Sequence, residues 1–122
     1  MLRIFTNLEV SKYMEMTLSA RCPMRTTIEM LGGKWRLLLI YNLRKGPLRP
    51  SELKQQLPQI SDKVLNDELH FLTTNHLLRR TASEKNSRKV FYELTDIGRE
   101  SLKIIEAMEQ FGLRYEKKVV LK

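Results

Sequence analysis

Between Ile60 and Thr74 apolar residues return every three or four positions, so that Val64, Leu65, Leu69 and Leu72 line one side of an α-helix, with Phe71 on its flank. The other side carries Asp62, Lys63, Asn66, Asp67, His70 and Thr73. Ser61 sits where an N-cap hydroxyl belongs, and Asp62 places negative charge in the first turn, where the helix dipole favours it. Upstream, Pro23 suits the first turn of a helix whose face is marked by Met24, Ile28 and Leu31 and whose end is set by Gly32-Gly33. The run from about Lys34 to Arg44 holds Trp35, Leu37, Leu38, Leu39, Ile40, Tyr41 and Leu43; apolar on nearly every side, it predicts the central buried helix. Gly46-Pro47 stops it. A short extended piece, Leu48-Arg49, leads to a third helix that Ser51 is expected to cap, with Leu53 and Leu57 inward. Pro58-Gln59 then turns the chain into the Ile60 helix. Two helices joined by a tight turn, the second polar on its outer face, make a helix-turn-helix.

Past Asn75, the expected C-cap, the period shortens. Leu77 to Ser83 and Arg88 to Leu94 read as strands, joined by the polar turn Glu84-Lys85-Asn86-Ser87 into a β-hairpin with a basic tip. Thr95 caps the last helix and Asp96 supplies first-turn charge. Along it Ile97, Ile104, Met108, Phe111 and Tyr115 recur at spacings of three, four and seven, with Leu102 and Ile105 widening the stripe. So broad a face on a terminal helix predicts self-association with a two-fold partner. The alternative cover is the chain's own apolar beginning, from Met1 to Leu18, and both hold if arm and helix are exchanged between subunits. The expected architecture is mainly α with a small β-hairpin (α+β). Residues 1–20 form an arm packed on a dimer partner, 21–95 a winged helix-turn-helix, and 96–122 a terminal dimerisation helix and tail.

A length of 122 residues allows one domain with a modest core. No run is apolar enough to span a bilayer and no secretory leader is visible, so a cytoplasmic protein is expected. The net charge of +8 favours a polyanionic partner. Double-stranded DNA fits better than an anionic membrane, because no basic amphipathic helix has a clean apolar face. A single cysteine excludes an intrachain disulfide and a multi-cysteine metal site. His70 and His76 do not share a helix face and no carboxylate completes a metal site, so neither metal nor other cofactor is expected. Without a nucleophile–base pair, clustered carboxylates or a glycine-rich phosphate loop, an enzyme is not expected either.

The candidate chemistry lies on the Ile60 helix and the hairpin. Lys63 and Asn66 project from the first two turns, and such side chains reach base edges in a major groove, lysine donating to guanine and asparagine pairing with adenine. Ser61, Asp62, Asp67 and His70 accompany them. An isolated helix of this kind more often carries a solvated face, but a basic hairpin directly follows this one. Lys85, Asn86, Arg88 and Lys89, with Arg79 and Arg80 near the base, would follow the phosphate backbone or enter a minor groove. The competing role of such cations is to block edge-to-edge strand pairing. Lys34, Arg36, Arg49 and Ser51 are candidate phosphate contacts; for Arg49 a plain surface role is equally compatible. Trp35 and Tyr41 read as core rather than as a ligand pocket.

An ordered set of pieces now accumulates: Cys22-Pro23, Gly32-Gly33-Lys34-Trp35, Gly46-Pro47 with Arg49, Ser51-Glu52-Leu53, Leu57-Pro58 with Ile60-Ser61, and Tyr92-Glu93-Leu94-Thr95 with Gly98. In this the chain resembles the HxlR-type regulators, bacterial and archaeal winged-helix transcription factors related to the MarR group. The resemblance implies a homodimeric DNA-binding regulator that uses the Ser61 to Thr74 helix for bases and the Glu84 to Lys89 wing for the backbone. Two positions depart from the family pattern. Pro50 replaces a frequent aromatic, so the strand after Gly46 is expected to pair poorly. Gln59 replaces a usual glycine, which requires either φ > 0 or a different turn. Cys22 lies before a helix start, between Arg21 and Arg25, surroundings that favour a thiolate. The resemblance implies a sensor of oxidants or electrophiles there; a small buried hydrophobe at the dimer seam is the other reading. A winged helix meeting an acidic protein partner is the second functional reading.

Overall fold

Short-range chemistry sets where each helix begins. In the computed structural model, which describes residues 22–83 and 89–121, α1 (Pro23–Leu31) opens on proline and closes where the Gly32 N–H bonds to the Ile28 carbonyl at 2.7 Å. The expected arm over 1–20 and the hairpin tip, with Lys85, Asn86 and Arg88, lie outside the described residues. Helix α2 (Arg36–Asn42) is shorter than expected, because Gly33 at φ 99° and a turn through Trp35 come first. It is central on one side only: Leu39 and Ile40 are buried, whereas Leu38 is exposed.

Helix α3 (Pro50–Gln56) starts two residues earlier than a Ser51 cap would allow. Arg49 occupies the N-cap, and its N–H donates to Glu52 Oε1 at 2.7 Å. Pro50 is thereby the first helical residue, where a missing N–H leaves nothing unpaired. The piece before it pairs at one residue only, as expected of a short strand ending in proline: Leu48 and Tyr92 exchange backbone hydrogen bonds of 3.0 and 2.9 Å as an isolated bridge. Gln59 is not at positive φ, since among the described non-glycine residues only His76 is, at 65°. The turn is made instead by the Ile60 N–H reaching the Leu57 carbonyl at 3.0 Å.

Helix α4 (Asp62–Thr74) is followed by β1 (Leu78–Ala82) and β2 (Val90–Leu94), antiparallel with Leu78 opposite Leu94 and Ala82 opposite Val90. Both strands are shorter than the sequence suggested. The Leu77 N–H is used by the helix exit, at 2.9 Å from the Leu72 carbonyl, although Ser83 still donates across the ladder to Lys89 at 3.1 Å. Helix α5 (Asp96–Tyr115) ends in a wider turn over Glu116–Val120, closed by Leu121 N–H to Glu116 carbonyl at 2.6 Å. Helix α3 lies against α4 and β2, α4 against β1, and α2 against α5. Leu39, Ile40, Leu43, Leu53, Ile60, Leu65, Leu69, Leu72, Leu78 and Leu94 meet in one core with Leu31, Leu77 and Ile105. Each fully buried leucine contributes about 2 kcal/mol from removed apolar surface. This is a winged helix: a helix-turn-helix buttressed by a terminal helix, with a β-hairpin after its second helix.

Candidate nucleic-acid interface

Helix α4 is fixed at its start. Ser61 Oγ accepts the Val64 N–H at 3.1 Å, and Lys54 of α3 both pairs with Asp62 at 3.4 Å and donates to the Ile60 carbonyl, tying the two helices of the motif together. Leu65, Leu69 and Leu72 hold the inner face in the core, which turns Asp62, Lys63, Asn66, Asp67 and His70 outward, all exposed. Lys63 Nζ lies 2.8 Å from Asp67 Oδ2, one turn on. The hydrogen bond to Asp67, and secondarily its charge, hold the lysine above its ordinary pKa and therefore protonated. The outward face thus carries two carboxylates against one ammonium, within a protein of net charge +8. With that balance of charge the face is not a basic patch; its polar groups are hydrogen-bond donors and acceptors.

Further exposed cations lie on other elements. Lys34, with its ammonium 5.0 Å from the Trp35 ring centre, is exposed, as are Arg49, Arg80 and Lys89. Ser51 is exposed in the first turn of α3. Arg79 is half engaged across the hairpin with Glu93 at 3.3 Å.

Arg36 behaves differently from the expectation that it reaches toward phosphates. Its Nε sits 2.7 Å from Glu68 Oε1, its Nη1 donates to the Glu29 carbonyl at 2.9 Å, and its guanidinium carbon lies 3.6 Å from the Phe71 ring centre. The guanidinium is committed inside the molecule. Glu68 escaped the sequence reading because its partner is 32 residues away and no local pattern links the two.

The broad stripe of α5 is divided. Ile97, Ile104, Met108, Phe111 and Tyr115 are exposed, with the Phe111 and Tyr115 rings stacked at 6.0 Å. Ile105 is buried in the chain's own core and Leu102 packs against it, so these two of the expected dimer residues anchor the helix to its domain instead. Met24 and Ile28 of α1 are likewise exposed, and only Leu31 of that face is covered. Cys22 is the exposed N-cap of α1; its carbonyl accepts from Arg25 and Thr26 N–H at 2.9 and 3.2 Å, and its side chain makes no cap bond. Its exposure is not that of a buried hydrophobe within one chain. Among the described residues no three His, Cys, Asp or Glu side chains gather as a metal site would require.

A fold of this kind with such a helix defines the helix-turn-helix transcriptional regulators. The HxlR-like helix-turn-helix family model matches residues 30–119, and the chain belongs to that family. It is 40% identical over 95 residues to YkvN, an uncharacterised HTH-type transcriptional regulator of Bacillus subtilis, covering 77% of this chain and 80% of YkvN. Among solved structures it resembles the redox regulator HypR in its reduced form, with a TM-score of 0.75 and 29% identity over 82% of this chain and 97% of HypR. It also resembles quinone-bound YodB from Bacillus subtilis, with a TM-score of 0.67 and 29% identity over 76% of this chain and 99% of YodB.

Proposed function

We propose that this regulator is a sequence-specific DNA-binding protein acting as a homodimer in the cytoplasm, with α4 of each subunit in a major groove and the hairpin on the backbone or in a minor groove. The observation that carries the reading is the pairing of an anchored inner face on α4 with a wholly exposed outer face of Lys63, Asn66, Asp67 and His70. Lys34, Arg49, Ser51, Arg80 and Lys89 supply phosphate contacts, and Lys85, Asn86 and Arg88 extend them at the hairpin tip. Ile97, Ile104, Met108, Phe111 and Tyr115 meet the second subunit. Two recognition helices related by a two-fold axis require half-sites about one helical turn apart, on the order of 10 base pairs or a multiple. Selection of bound fragments from the source genome, followed by mobility shifts across a salt series, tests this directly. One enriched palindromic sequence is expected, with affinity falling steeply as salt rises. Equal binding to all duplexes would refute the assignment.

Cys22 supplies a response to electrophiles. Its exposure at a helix start supports this, as do the relatives described as a redox regulator and as quinone-bound. In the simplest case the thiolate adds to a ring carbon of a quinone, the ring takes up a proton, and the hydroquinone thioether remains on the α1 N-terminus. Quinone treatment is expected to change operator affinity in the native protein and not in Cys22→Ser; equal responses would remove Cys22 from the mechanism.

A further inference from the structure

Arg36 touches three helices at once. It opens α2, yet it bonds the last turn of α1 through the Glu29 carbonyl and grips α4 through Glu68 and the face of Phe71. The Arg36 and Glu68 side chains are only 22% and 19% exposed, so the pair works where water screens it weakly. A planar guanidinium bonded along two edges and stacked on a ring has one orientation; a lysine could satisfy one of these contacts at a time. The leucines beneath α4 are different in kind. Apolar contact is non-directional, and a small roll of the helix changes buried area little.

We propose that Arg36 is a positioning residue. By clamping Glu68 and Phe71 to the end of α1 it sets the roll of α4 about its axis, and with it the angle at which Lys63 and Asn66 meet base edges. The inference rests on the reading of α4 as the base-reading helix. Contacts to base edges depend on placement to within about 0.5 Å and 10–20°, so operator preference depends on Arg36 although its guanidinium is turned inward.

The test compares affinities for a selected operator and for an unrelated duplex in the native protein, Arg36→Lys, Arg36→Met and the double variant Arg36→Met/Glu68→Met. Operator preference is expected to drop about tenfold or more in all three, the scale of one lost base contact, while affinity for the unrelated duplex stays within about twofold. The double variant replaces a partly buried ion pair by apolar groups of similar length, so its melting temperature should stay near the native value. It therefore separates packing from orientation. A double variant with native operator preference, or a parallel fall in both affinities, would overturn the proposal. A native protein without any operator preference would overturn the base-reading assignment as well, and is told apart by its own control lane.

Discussion

The hydroxyl of Thr95 donates to the carbonyl of His76 at 2.6 Å while accepting the Gly98 N–H at 3.0 Å. One side chain thus caps α5 and fastens it to the residue where α4 turns into β1. That residue is held at φ 65°, a conformation that costs a side-chain-bearing residue and suits glycine.

Stability should respond with opposite signs at the two ends of this contact. His76→Gly is expected to raise unfolding free energy by about 1 kcal/mol through relief of the left-handed backbone. Thr95→Ala should lower it by about 1–2 kcal/mol through the lost cap. Urea denaturation measures both, and a destabilised His76→Gly would mean that the histidine side chain makes a compensating contact.

Gly98 should tolerate no side chain. A Cβ there would stand 2.1 Å from the Leu77 carbonyl oxygen, a backbone atom that cannot swing aside. Gly98→Ala should therefore cost about 2 kcal/mol or more, as expected for overpacking against a fixed neighbour. Gly112→Ala, where nothing lies within 4 Å, provides the control and should be neutral or slightly stabilising on a helix.

The outer face of α4 and the cations of the hairpin should fail in different ways. Lys63→Ala and Asn66→Ala are expected to reduce discrimination at single base positions by about 1–3 kcal/mol each. Lys89→Ala should weaken operator and unrelated duplex alike and reduce the salt slope by about one; Lys85→Ala and Arg88→Ala should do the same. Asp67→Asn frees Lys63 and removes a carboxylate from the face, so unrelated duplexes should bind tighter and preference should narrow. Identical behaviour of helix and hairpin variants in salt-series binding curves would contradict this division.

On α5, neighbouring apolar residues should have unlike phenotypes. In the proposed homodimer, Phe111→Asp or Met108→Asp should yield a folded monomer in sedimentation velocity, because those side chains are exposed within one chain. Ile105→Ala should instead lower the unfolding midpoint, costing about 2–4 kcal/mol from a cavity in the subunit's own core. A monomer melting normally in the first case and a dimer melting early in the second are the paired readouts.

Much of this protein follows from contacts within four residues along the chain. The Ser61 and Thr95 caps, the proline start of α1 and the change of period after Asn75 were all legible, because a cap or turn involves only groups that the sequence itself places side by side. So was the polarity of α4, since a helix with three leucines on one stripe has only one side left for Lys63 and Asn66. The same local logic misplaced the start of α3. Arg49, Pro50 and Ser51 all suit a first turn, and Glu52 reaching back to the Arg49 N–H decided among them.

Tertiary structure alone decided the rest. An apolar stripe wider than one contact can be divided only by where the neighbouring helix lies, which sent Leu102 and Ile105 inward and left Ile104 and Met108 exposed. Leu48 found Tyr92, and Arg36 found Glu68 across 32 residues. Such pairings depend on folding to bring distant groups within bonding reach, and neither residue's own surroundings in the chain carry a trace of the other. Periodicity states which side of a helix is oily; only packing states what that side touches.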